Sequence, residues 1–115
     1  MTHAGMNYRI VYEGPSDGAD IIMGASLANF MIEGPGADKE CAVMLNDPGA
    51  TYLAADQGVE QSPAWREEMT RKIGEVVLDA ALKASRHIDS VVFVSRAILE
   101  AHPEYVDAVA DRSRT

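Results

Sequence analysis

Ser16, Asp17, Asp47, Ser95 and Arg96 are the residues of this chain whose types and places suit binding chemistry. Each lies just beyond a short apolar or β-branched run, near the expected start of a helix. In an open parallel sheet such places, beyond the carboxyl ends of the strands, form the crevice where ligands bind. Backbone N–H groups at helix N-termini turn toward that crevice and favour negative charge. Hydroxyls, carboxylates and a guanidinium at these points would cradle a small polar or anionic group. Ser and Asp are also common helix caps and turn formers, and that ordinary role is the preferred reading. No nucleophile stands paired with a base, so no catalytic residue is assigned.

The single cysteine, Cys41, opens the apolar run from Glu40 to Leu45, at the opposite end from the crevice. A lone cysteine in such a run packs as a small hydrophobe, and a structural role is expected. His3, His87 and His102 are scattered without paired ligand spacing, so no metal site is assigned. There is no Walker loop, Gly-x-Gly-x-x-Gly, Cys-x-x-Cys, His-Glu-x-x-His or Gly-x-Ser-x-Gly, and no cofactor is assigned. Glu67-Glu68 fits a solvated helix face. Trp65 fits a core or interface anchor.

The elements that would hold these residues follow from pattern. Tyr8 to Tyr12 reads as a strand ended by Glu13-Gly14-Pro15. The apolar segment Ile21 to Ile32, with Ser16, Asp17 or Asp20 as cap and Gly34-Pro35 as stop, reads as a helix. Glu40 to Leu45 reads as a strand buried on both faces. Asn46-Asp47-Pro48-Gly49 admits two readings. One is a hairpin into Thr51-Tyr52-Leu53; the other, preferred, is a helix capped by Asp47 and running to Gly58.

Ser62-Pro63 opens a long amphipathic helix with Trp65, Met69, Ile73, Val76, Val77, Ala80 and Ala84 on one face. Val91 to Val94 reads as a third buried strand. Arg96 to Ala101 and Glu104 to Ala110 read as short helices separated by Pro103. The expected fold is α/β, a three-layer, mostly parallel sheet with helices on both faces. The hairpin reading gives a ferredoxin-like α+β order instead.

A chain of 115 residues makes one domain, here residues 1–115, and can bury one real core. Its net charge of −8 argues against nucleic acid and against an anionic membrane surface as partners. No N-terminal stretch combines a basic start with an apolar run, so no secretory signal is expected, and cytoplasmic location is the simplest. Apolar residues such as Trp65, Met69 and Tyr105 are in excess of what one small core is expected to hide, which points to a homo-oligomer.

Ile10 to Asp17, Ser26-Leu27-Ala28-Asn29, Val43 to Asp47 and Ala55-Asp56-Gln57-Gly58 together resemble the DsrE/DsrF-like family of small sulfur-relay proteins. The likeness covers roughly residues 8–58, with a looser match through the third strand. It implies a three-layer α/β fold, a cytoplasmic setting and assembly into oligomers. Members active in sulfur transfer carry a persulfide-forming cysteine after a later strand. The strand here that most resembles it is Val91 to Val94, and the next residue is Ser95, whose hydroxyl cannot form a persulfide. The expected protein is therefore a non-catalytic oligomer that binds a protein partner or small anionic ligand. The alternative is a small enzyme acting on an anionic substrate through Ser95, Asp47 and Arg96.

Overall fold

The computed structural model describes residues 8–15, 25–34, 38–84 and 86–110. Three strands come first: β1 (Arg9–Pro15), β2 (Ala25–Glu33) and β3 (Lys39–Asn46). Two helices follow, α1 (Asp47–Gln57) and α2 (Pro63–Lys83). The chain ends with β4 (Val91–Val94), α3 (Arg96–Ala101) and α4 (Pro103–Val109). The sheet order is β1-β2-β3-β4. β1, β2 and β3 form an antiparallel meander, and β4 lies parallel to β3.

The sheet is therefore mixed and mostly antiparallel, which corrects the expectation of a mostly parallel one. The cause is the segment read as a helix from Ile21 to Ile32, whose second half is β2. Its burial has a period of two: Ala28, Phe30 and Ile32 are buried, while Leu27, Asn29 and Met31 are only half-buried. That alternation is the mark of a strand with one face in the core. Ala, Leu and Met favour a helix locally, but pairing on both sides overrides them. Gly34, taken as a helix stop, directly follows β2 and approaches the Tyr8 ring too closely to carry a side chain.

Register lines the inward side chains up in rows across the strands. Tyr12 stands opposite Phe30, and Phe30 opposite Cys41; Ala28 stands opposite Val43, and Val43 opposite Val92. The core joins this one face of the sheet to Leu53, Ile73, Leu78, Leu99 and Val109 from the helices. No outward side chain of the strands belongs to it among the described residues. Residues 25–32, read as part of a helix covering the sheet, lie in the sheet itself.

The helices begin and end where their chemistry says they should. Asn46 caps α1 by accepting the Gly49 N–H at 2.9 Å, Pro48 occupies the first turn, and Gly58 closes the helix at φ 68°. A helix from Asp47 to Gln57 leaves no strand there, so the ferredoxin-like hairpin at Pro48 is excluded. Ser62 caps α2 through the Trp65 N–H at 3.1 Å, ahead of Pro63. Arg71–Glu75, Lys72–Glu68 and Lys83–Asp79 pairs support its exposed side.

α2 packs across β1, β2 and β3. Its closest approach is at Gly74, where an added Cβ would lie 2.6 Å from the Phe30 ring. Phe30 is fully buried and tilted against Tyr12 at 5.5 Å between centroids. Gly74→Ala would gain about 1 kcal/mol of helix propensity. Overpacking against Phe30 costs about 1–3 kcal/mol. A net loss of stability is the expected outcome in urea unfolding, and adding Phe30→Leu should recover part of it. A Gly74→Ala protein more stable than the parent would overturn this reading of the α2 contact.

Candidate functional site

The carboxyl ends of β3 and β4 lie side by side, because Leu45 pairs with Val94. Asn46 and Asp47 therefore adjoin Ser95 and Arg96, at the starts of α1 and α3. Of the five expected site residues the structure brings these three together: Asp47, Ser95 and Arg96. Ser16 and Asp17 lie outside the described residues. β2 also begins at this edge, with Ala25 opposite Asn46.

Each of the three is engaged in holding the fold. Asp47 is not the cap; that role belongs to Asn46, and the Asp47 carboxylate instead meets Arg66 Nη1 at 2.7 Å. Ser95 caps α3, its Oγ accepting the Ile98 N–H at 3.4 Å. Arg96 donates to Glu100 at 2.9 Å and lies 5.6 Å over the Tyr52 ring. The space between is closed by packing. A Cβ at buried Gly49 would sit 3.0 Å from Leu45 Cδ1 and 3.2 Å from the Val94 carbonyl oxygen. The arrangement starts two helices next to one another.

Cys41 sits well inside β3, buried to 3% exposure, with its thiol donating to the Asp89 carbonyl at 3.3 Å. Five residues of strand separate it from Asn46, roughly 16 Å of chain. Burial raises the thiol pKa, the Lys39 ammonium opposing and Asp89 adding to the rise. Lys39 Nζ itself donates to the Ile88 carbonyl. His87 stands 3.2 Å from Asp89, and His102 stands 3.0 Å from Glu104 with its ring stacked on Tyr105. Glu67 and Glu68 are exposed, and the half-buried Trp65 donates its indole N–H to Gln57 at 3.3 Å. Among the described residues no three His, Cys, Asp or Glu gather as metal ligands, and no helix is long and apolar enough to cross a membrane.

The sequence reading missed where apolar surface is left over. Met69 and Tyr105, thought to exceed the core, are buried in it. Among the described residues the exposed large apolar side chains are Val59, Val91, Phe93 and Ile98, and three of these gather at β4 and α3. β4, read as buried, is an edge strand with Phe93 59% exposed. A hollow of about 370 Å³ runs beside it, floored by Leu78, Ala81 and Tyr105. Comparison with family models, curated proteins and solved structures found no match to this chain.

Two outcomes check the structural roles assigned here. Asn46→Ala should cost about 1 kcal/mol through loss of the cap. Asp47→Ala should also destabilise, by another route, since it takes the carboxylate from Arg66, whose Nε and Nη2 are buried without a hydrogen-bond partner. An Asn46→Ala protein as stable as the parent in urea would show that Asn46 is not the cap.

The raised Cys41 thiol gives a pH signature. The unfolded chain releases this proton in the ordinary thiol range, while the folded chain holds it to higher pH. Stability from the neutral thiol is therefore complete below that range and declines as pH rises through it toward the raised value. Tyr12 is also raised, by burial first, and Cys41→Ala leaves that contribution in place. Thermal melts across the alkaline range should fall less steeply for Cys41→Ala than for the parent. Iodoacetamide should label Cys41 only after denaturant is added; rapid labelling of the folded chain would show the thiol to be reactive.

Proposed function

We propose that this chain is a non-catalytic binding protein, working as an oligomer in the cytoplasm, with a DsrE/DsrF-like role that omits the persulfide relay. The observation that carries the reading is the division of labour on the molecule's surface. Asp47, Ser95 and Arg96 are occupied by an ion pair, a helix cap and a Glu100–Tyr52 contact. Exposed apolar side chains gather instead at β4 and α3. Ser95 Oγ meets a backbone N–H and not a base, so no activated nucleophile stands among the three, whereas exposed apolar surface of this kind favours partners.

The thiol supports the same reading. Persulfide chemistry needs an accessible thiolate, and Cys41 is buried with its pKa raised. Ser95 follows β4 where a relay cysteine would stand. A free thiol and no partner cysteine in the chain suit a reducing compartment. The acidic balance suits a protein surface as partner in preference to nucleic acid.

Native mass spectrometry of the purified protein, with and without prior exposure to a persulfide donor, tests this proposal. The expected result is no added sulfur on folded Cys41 and no stoichiometric small anion retained. A retained anion that is lost in Arg96→Ala and in Ser95→Ala would replace this reading with an enzyme acting at the β3–β4 ends.

A further inference from the structure

The two edges of the sheet are built differently. β1 has the features that keep an edge from pairing. Arg9 is exposed, a bulge falls between Tyr12 and Gly14 with Gly14 at φ 115°, and Pro15 ends the strand. β4 has none of them: its sequence is Val91-Val92-Phe93-Val94, without charge, proline or bulge. Edge strands left flat and apolar are templates for another strand.

The pairing of β4 with β3 fixes which of its backbone groups remain available. Ala42 N–H donates to the Ser90 carbonyl at 2.8 Å. In a parallel ladder that bond sets the phase: Ser90, Val92 and Val94 turn their groups toward β3. The N–H and C=O of Val91 and Phe93 therefore point to the open side. Their side chains, 38% and 59% exposed, share the outward face of the sheet.

We propose that β4 is the self-association strand, pairing antiparallel with β4 of a second copy about a two-fold axis through Val92. This deepens the oligomeric reading above and rests on it. Three observations select a second copy as the occupant. In this register Val91 lies opposite the second copy's Phe93, so the two residues with free backbone groups exchange hydrogen bonds and their exposed side chains pack together. The charges at the two ends of β4 are opposite, Asp89 before it and Arg96 after it, both exposed. Antiparallel pairing places each Asp89 opposite the second copy's Ser95 and beside its Arg96. Finally, the second copy's Val92 falls on the helix side of the extended sheet, over the hollow floored by Leu78, Ala81 and Tyr105.

Sedimentation velocity from 1 to 100 µM, roughly the range that separates weak from stable pairs, tests the proposal on the full chain. The parent should be a dimer. Phe93→Lys should weaken dimerisation by about 30-fold or more, the scale of a central interface residue. Val91→Lys, on the same exposed face, gives the same reading should Phe93→Lys fail to fold by circular dichroism. Asp89→Arg and Arg96→Asp should each weaken the dimer by about 10-fold, and the double variant should restore it. A monomeric parent at 100 µM overturns the proposal together with the oligomeric reading. A dimer indifferent to Phe93→Lys and Val91→Lys overturns the β4 pairing alone and leaves that reading standing. Weakened single charge variants without rescue in the double variant overturn the antiparallel register.

Discussion

The missing side chain at Gly74 lets α2 settle directly on Phe30, and much of the molecule is arranged around that contact. Phe30 sits in the middle of β2, itself paired on both sides, so a helix seated there touches the inner face of the whole meander. Tyr12 leans on the same ring from β1, and Arg71 of α2 reaches to within 6.0 Å of the Tyr12 ring centre from above. With the helix held this close, Ile73 and Leu78 reach full burial. Close packing of this kind resists small changes of volume and fixes relative orientation as well as stability.

The parallel step from β3 to β4 has a separate effect. It sets two helix starts next to one another, at Asn46 and Ser95, and each needs a side chain to satisfy its first backbone N–H groups. The polar residues at the strand ends answer that need. Asn46 and Ser95 cap the helices, and Asp47 pairs with Arg66, whose Nε and Nη2 are buried. Side chains of the types that could meet a ligand at a sheet end serve here as caps and ion-pair partners of its own helices.

How much of this was legible depended on how local the cause was. α1, α2, α3 and α4 could be read because caps, prolines and a closing glycine act within a few residues. Asn46 and Asp47 are both good caps, and only coordinates decide between adjacent candidates. β2 was misread because its helix-favouring composition and the Gly34 stop are local signals, whereas its pairing with β1 and β3 is not. β4 was recognised as a strand but not as an edge: an unbroken apolar run looks the same whether one or both sides are covered. The exposure of Phe93 follows from which face of the sheet the helices cover, which no spacing rule contains. Cys41 was placed correctly because a thiol within an apolar strand has few other places to go.

The same parallel step governs the order in which the molecule can assemble. The meander is complete by Asn46 and joins strands that are near neighbours in the chain. The β3–β4 ladder must wait for Val91 to arrive, across the whole of α1 and α2. Closing that distance costs more chain entropy than any pairing inside the meander, so the ladder belongs late in folding. Until then the outer backbone of Ala42 and Met44 has no strand beside it. During synthesis, which proceeds from the N-terminus, β3 is for a time the unprotected edge of a three-stranded sheet. α1 and then α2, both of which pack on β3, emerge before β4 does.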